Sequence, residues 1–444
     1  MKKFRLNCLF AVVFLFVASL FAEDGVDIDR PAEFLNAEAL QNWESGQADA
    51  KLELDMFKAN LKLPADKYES FELIRRYAPY LLKDIYLSIV VDSSHRLGDY
   101  LAEGEISLNQ INNIIDSGKI TEPRFSRDLD KAIIYHSANL HEVSKLFVRH
   151  KTAYVPTIPP STVVSKKYSG ILIDARGLQP VHGEYVNEKV HPALFPRIWD
   201  TDMSLIFEKN IVDPKTAKER GIIRYSDNLD EAEYRDLIGT NPLRIIARGV
   251  FGLNRTDPII SAKDSAKILA EPENLKLLQE GRVVIICDDL KISPPYPQPD
   301  ENFYFDYHDM KITFEDDESI VVKPDTDGTI LNLTLHNIHF VADQPEILPV
   351  DFGRIDVIAA ALRKLDPSVK FIVEGHTAEL YRPDDQLALS KERAETMVDE
   401  LVKRGIDSSR FETRGYGATR PLAPSDNEAN RAKNRRVEIK IILN

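Results

Sequence analysis

Few residues in this chain of 444 stand at spacings that could do chemistry. His182, Glu184 and His191 could be drawn together as a metal site, but their spacing matches no established ligand signature. A solvated loop is the expectation there. His136 lies beside His141 on an apolar stripe with no carboxylate or third histidine at ligand spacing, which predicts a satisfied core histidine. Asp325-Thr-Asp-Gly328 has the opening of a calcium loop without its remaining ligands or closing glutamate, so a turn is expected. No nucleophile elbow, phosphate-binding loop, zinc signature or dinucleotide fingerprint occurs. The residues therefore point to a protein that is not an enzyme and needs neither metal nor cofactor.

Composition narrows the partners. Acidic side chains number 71 against 57 basic ones, a net charge of −14. Phosphate binding needs a basic footprint, so nucleic acid and anionic membrane surfaces are excluded as main partners. At 43% hydrophobic, a chain of this length can bury several cores. Residues 1–22 carry Lys2, Lys3 and Arg5, then the apolar run Leu6–Phe21, then Ala22 before Glu23. That is the layout of a secretory signal peptide, with an apolar run too short to span a bilayer comfortably. Cys8 falls near the start of that apolar run rather than after it, the wrong place for lipid attachment. Only Cys287 then remains, so no intrachain disulfide is expected and Cys287 should pack within a strand. The expected location is the periplasm, in association with the outer membrane.

Two proline-rich stretches, Val155–Pro160 and Ser293–Asp300, divide the rest of the chain. Residues 23–155 read as a helical domain. Phe71, Ile74, Leu81, Leu82, Ile85 and Ile89 recur at helical intervals, and so do Leu129, Ile133, His136, Leu140, Val143 and Phe147. Residues 161–293 read as an α+β domain, with β-rich runs at Tyr168–Arg176, Leu243–Val250 and Arg282–Cys287. Ser261 opens a helix there and Pro272 interrupts it. Tyr168–Leu178 and Arg244–Gly252 loosely resemble a domain of flagella-associated outer-membrane lipoproteins. Residues 294–324 read as a linker.

From Thr329 the pattern sharpens. Leu331, Leu333 and Leu335 alternate with polar residues, as in a half-buried strand. Ile355, Ile358, Ala359, Leu362 and Leu365 mark a helix that Asp366-Pro367 stops. Val369, Phe371 and Val373 alternate again. A second helix carries Leu389, Ala394, Met397 and Leu401, with Gly405 at its end. Strands follow at Phe411 and at Val437–Leu443. The order β-α-β-α-β-β is an α+β sandwich over residues 325–444.

Glu374-Gly-His-Thr377, Leu389-Ser-Lys-Glu-Arg-Ala394, Gly415-Tyr-Gly417 and Asn434-Arg-Arg-Val-Glu-Ile439 together resemble the OmpA-like, peptidoglycan-associated C-terminal domain. The full layout resembles a modular spirochaetal envelope protein with an OmpA-like tail. The resemblance implies binding of the cell-wall stem peptide through its diaminopimelate, a zwitterion needing an acid for its ammonium and an arginine for its carboxylate. The family positions are Thr377, Ala378, Tyr381, Gln386 and Arg393. The arginine is kept, but Ala378 stands where the family has its acid, Tyr381 replaces a glycine and Gln386 an asparagine. The expectation is a weakened or lost wall site on an envelope scaffold or interaction module. A working peptidoglycan tether is the alternative, with rescue by Glu379, Asp384 or Asp385, or a wall built on ornithine. Asn434, Arg435 and Arg436 are read as fold-stabilising, and His376 as hydrogen-bonded within its turn.

Overall fold

The computed structural model describes residues 34–156, 163–294, 298–325, 327–336, 338–379 and 382–442. The signal segment and Tyr381 lie outside the described residues. Three modules follow one another, built from helices and several sheets.

The first module corrects the helical expectation for residues 23–155. The Lys67–Leu87 helix is present and buries Ile74, Ala78, Leu81, Leu82 and Ile85 as its spacing requires. It packs, however, on an antiparallel sheet. Leu35–Asn42 and Gln47–Asp55 form a hairpin, and Lys131–Asn139 pairs with its second strand. In Lys131–Asn139 the buried residues are Ala132, Ile134, His136 and Ala138, a period of two. The helical spacing through Leu129 and Ile133 is a coincidence of pattern, since Leu129 is exposed and a helix begins only at Leu140. Asn139 sets that start by accepting a hydrogen bond from the His141 amide. His136 is buried in the core with Nε2 2.8 Å from the Ile115 carbonyl, but its Nδ1 has no hydrogen-bond partner, so the expected satisfied histidine is satisfied at one nitrogen only.

The second module stacks two small sheets with helices. One is wholly parallel, in the order Arg224–Ser226, Val283–Ile286, Ile171–Asp174, Leu243–Ile246. Val283–Ile286 is buried at every position, as strands covered on both faces are. Cys287 is buried just past that strand rather than within it, its amide donating to the Ser226 carbonyl. Ser261 caps the Ala262–Leu269 helix, and Pro272 starts a new helix, Pro272–Gln279.

Residues 294–324 are not merely a linker. They contain the Glu301–Thr313 helix, capped by Asp300, and the strand Ile320–Pro324. Phe303, Tyr304, Tyr307 and Met310 are buried, and Tyr304 lies so close to the Leu97–Ala102 helix that a Cβ on Gly98 would sit 2.4 Å from its ring.

The C-terminal module has the expected order, extended by Ile320–Pro324 and the short helix Glu428–Asn434. Its five strands run Ile320–Pro324, Ile330–His336, Arg436–Ile442, Lys370–His376, Phe411–Gly415, with only the last pair parallel. Asp325 anchors the hairpin turn through the Thr329 and Ile330 amides, so the calcium-like sequence is a turn.

The modules share chain and core. Lys291–Ile292, leaving the second module, pairs with the edge strand Leu35–Asn42 of the first. The Leu194 and Phe195 amides donate to the Val90 and Val91 carbonyls, and one buried apolar cluster continues through all three modules. No helix among the described residues is long and apolar enough to cross a membrane.

Candidate functional site

The candidate site is built where Lys370–His376 ends and the Pro383–Lys403 helix begins. Glycines let these two elements close on each other. A Cβ on Gly375 would lie 1.9 Å from the Ser390 carbonyl oxygen, and one on Gly415 would lie 2.6 Å from the Lys391 nitrogen. The Ser390 hydroxyl then accepts from the Gly417 amide at 2.9 Å. The Gly-His-Thr and Gly-Tyr-Gly motifs are thus contact surfaces of the backbone before they are anything else.

Thr377 and Ala378 follow the strand and are both buried. The Thr377 amide donates to the Gly417 carbonyl. Gln386, in the first turn of the helix, is also buried and gives its Nε2 to the Ala378 carbonyl and, at 3.4 Å, to the Thr377 hydroxyl. These three residues tie the loop to the helix. Asp384 and Asp385 are exposed.

Arg393 lies two helical turns beyond Gln386. Its guanidinium stacks on Phe340 at 4.6 Å from the ring centroid, and Nε donates to the Gln344 carbonyl at 3.3 Å. Burial, with Arg435 adding to it, lowers its proton affinity, while Asp343 opposes the shift. Among the described residues no carboxylate lies within ion-pair distance of Arg393.

A cavity of about 230 Å³ opens beside it, lined by Phe340, His339, His376, Arg393, Arg435 and Arg436 together with Ile338 and Ala432. Neither Ala378, Gln386, Asp384, Asp385 nor Glu379 lines it. The structure therefore brings Arg393 to a pocket and leaves Thr377, Ala378 and Gln386 as its backing. Sequence reasoning missed the segment carrying Phe340 and Asp343. Asp351, only 2% exposed, positions it by accepting from the His339 amide at 2.6 Å. Asp343 itself holds a left-handed φ of 55°, which Asp tolerates in turns.

Asn434 is fold-stabilising as expected, accepting from the Leu422 and Ala423 amides and donating to the Ala423 carbonyl. Arg436 and Arg435 have a second aspect, because both face the cavity while pairing with Glu438 and Glu428. His376 departs from expectation. Neither ring nitrogen has a hydrogen-bond partner, and the ring stacks on Tyr416 at 5.5 Å, with Arg420 on the Tyr416 ring in turn. Burial, reinforced by Arg436, pushes its pKa down to about 3, so the imidazole is neutral.

His376, Glu374 and Glu438 bring their ligand atoms within 4.8 Å of one another. Lys440 at 3.0 Å and Arg420 at 3.7 Å already serve Glu374, and Arg436 at 2.5 Å serves Glu438. A divalent ion would join cations that already neutralise the carboxylates, so the chemistry fits an ion-pair network better than a metal centre. His182, Glu184 and His191 do not form a ligand cluster. Glu184 pairs instead with Arg255 at 2.7 Å and Lys323 at 3.6 Å.

Residues 35–146 match the N-terminal domain of Treponema pallidum Tp0624, residues 170–289 match its second domain, and residues 339–435 match the OmpA family. Over 113 residues the chain is 31% identical to the probable lipoprotein YiaD of Escherichia coli, covering 26% of this chain and 51% of that protein. It is 33% identical over 102 residues to the peptidoglycan-associated lipoprotein of Pseudomonas aeruginosa, covering 23% of this chain and 60% of that one. Against the peptidoglycan-binding protein ArfA of Mycobacterium tuberculosis it is 32% identical over 115 residues, 26% of this chain and 35% of the relative. The chain thus spans less than two thirds of the length of each of these relatives. The periplasmic domain of Helicobacter pylori MotB is similar at 28% identity, over 29% of this chain and 81% of that one, with a TM-score of 0.26.

Proposed function

Taking the OmpA family domain at the C-terminus as premise, we propose that this chain is a non-enzymatic periplasmic envelope protein. It acts as a scaffold or interaction module beside the cell wall, and its capture of diaminopimelate is weakened or lost. The observation that carries this reading is the lining of the Arg393 pocket, which holds three arginines and two histidines and no carboxylate. A zwitterionic ligand finds its carboxylate partner there and nothing for its ammonium. Losing one member of a desolvated charge pair costs about 2–5 kcal/mol, roughly 30-fold to several thousand-fold in affinity.

A working tether is the second reading. It is favoured by Asp343, whose charge reaches Arg393, and by the peptidoglycan-binding relative. A stem peptide with ornithine, which lacks the side-chain carboxylate, would ask less of Arg393.

Calorimetric titration of the chain with stem peptides carrying diaminopimelate or ornithine separates the two readings. The scaffold reading expects no heat from wild type with either peptide. Micromolar binding of either peptide by wild type, lost in Arg393→Ala, would establish the tether instead.

A further inference from the structure

The segment from Val90 to Glu103 in the first module touches both of the others. The Leu194 and Phe195 amides of the second module donate to its Val90 and Val91 carbonyls. Asn254 of that module gives its amide to the Ser93 carbonyl and its side chain to the Asp92 carbonyl, both at 2.9 Å. Gly252 lies so close that a Cβ there would sit 2.3 Å from the Ser93 Cβ. From the C-terminal side, Tyr304 packs on Gly98, Gly328 packs on Arg96, and Lys311 lies 3.9 Å from Glu103.

One side chain ties the two ends of this segment together. His95 Nδ1 lies 3.1 Å from Asp92 Oδ1, and Nε2 lies 3.4 Å from Glu103 Oε1. The ring rests against Tyr100 at 4.8 Å, and the Tyr100 hydroxyl donates to the other Asp92 oxygen at 2.6 Å. Asp92 also accepts from the Ser94 and His95 amides, which fixes the loop whose outer carbonyls receive Asn254. A neutral imidazole has one N–H and can serve only one of two carboxylates, whereas an imidazolium serves both. The His95 side chain is 26% exposed, so protons reach it from solvent.

We infer that His95 is a proton-operated clamp that sets how firmly the first module holds the other two. As the imidazolium it bridges Asp92 and Glu103 and closes the segment on itself. On losing a proton it keeps the nearer, buried Asp92 and releases Glu103 to Lys311, and the segment loosens under its neighbours. The other charges facing the clamp are Asp99 and Arg96 on the same segment, Lys311 on the Glu301–Thr313 helix, and Arg197 and Lys209 of the second module. Burial alone would lower the His95 pKa, but Asp92, then Glu103 and Asp99, outweigh it and raise the value above 6.5. The clamp is therefore fully closed below pH 6.5 and opens as pH rises through that raised value.

The test joins an NMR titration of the histidine rings in the full chain to hydrogen exchange over the same pH range, corrected for the intrinsic dependence of exchange on pH. The His95 resonance, identified by its absence from His95→Gln, should titrate above 6.5 in wild type and lower in Glu103→Gln. Exchange at residues 193–195 and 252–254 should rise about threefold to tenfold across the wild-type titration, the scale of one hydrogen bond. It should stay flat in Glu103→Gln, whose amide bonds a neutral ring as well as a charged one, and in His95→Gln, which has no titrating ring. Val283–Ile286, buried inside the second module, should not respond. The inference is overturned if His95 titrates at or below 6.5, if the two segments respond to pH no more in wild type than in the variants, or if Val283–Ile286 moves with them.

Discussion

Two glycines in the C-terminal module separate packing from conformation. Gly375 has no room for a methyl against the Ser390 carbonyl, a backbone atom that cannot rotate away. Gly375→Ala should cost about 3 kcal/mol or more, at the upper end of overpacking. Gly353, at the start of the Phe352–Lys364 helix, has nothing within 4 Å of where an alanine methyl would sit. Gly353→Ala should stabilise by about 0.5–1 kcal/mol through helix propensity. Urea denaturation of the two variants side by side checks both signs. His376 adds a pH signature. Its folded pKa near 3 lies below the ordinary 6.5, so its contribution is full above pH 6.5 and is lost as pH falls through about 3. Replacing it with Phe, which can keep the stack on Tyr416, should flatten that acid limb, read as unfolding midpoint against pH. At this scale the sequence is informative about identity and poor about company. Arg393 can be read from its motif, but Phe340, Asp343 and Arg435 meet it only through the fold.

Between elements, the Lys67–Leu87 helix meets the Glu301–Thr313 helix through Lys83, which bonds Glu301 and lies 3.5 Å from Asp84. Burial raises the Asp84 pKa to about 7, with Glu301 and Asp300 contributing in the same direction. An acid raised in the fold stabilises fully below its unfolded value near 3.8, and that stability is lost as pH rises through about 7. Asp84→Asn should therefore gain on wild type as pH is taken from 5 to 8, a window in which Glu301 stays ionised. Thermal unfolding across that range is the measurement. This junction is illegible in the sequence because Ser293–Asp300 reads as a proline-rich linker, and the helix after it is aromatic on several sides rather than along one stripe. The Lys131–Asn139 strand escapes for a related reason. Its apolar residues fit a period of two and, with their neighbours, a period of 3.6, and only sheet pairing decides between them. The strands and helices after Thr329 carry one period each, which makes them legible from the chain alone.

Across the whole molecule, the modules are coupled rather than strung together. Glu184 of the second module meets Lys323 of the C-terminal sheet at 3.6 Å, and the Trp43 amide of the first donates to the Leu290 carbonyl of the second at 2.9 Å. A fragment ending at residue 156 would lose the Lys291–Ile292 pairing and the apolar contacts of the second module. It should unfold at lower urea than the same residues in the full chain, as followed by exchange of the Leu35–Asn42 amides. Equal protection in fragment and full chain would show the first module to be autonomous.

The two-residue strand Lys291–Ile292 also carries a consequence in time. It covers the Gln41–Asn42 end of the outer edge of Leu35–Asn42, amides and carbonyls that would otherwise be open to any other strand. A chain emerging from its N-terminus at about 5–20 residues per second delivers that closing strand tens of seconds after the edge itself. During the interval the nascent first module is a template for pairing with a neighbour, and the order of synthesis makes its own second module the rival that must arrive in time.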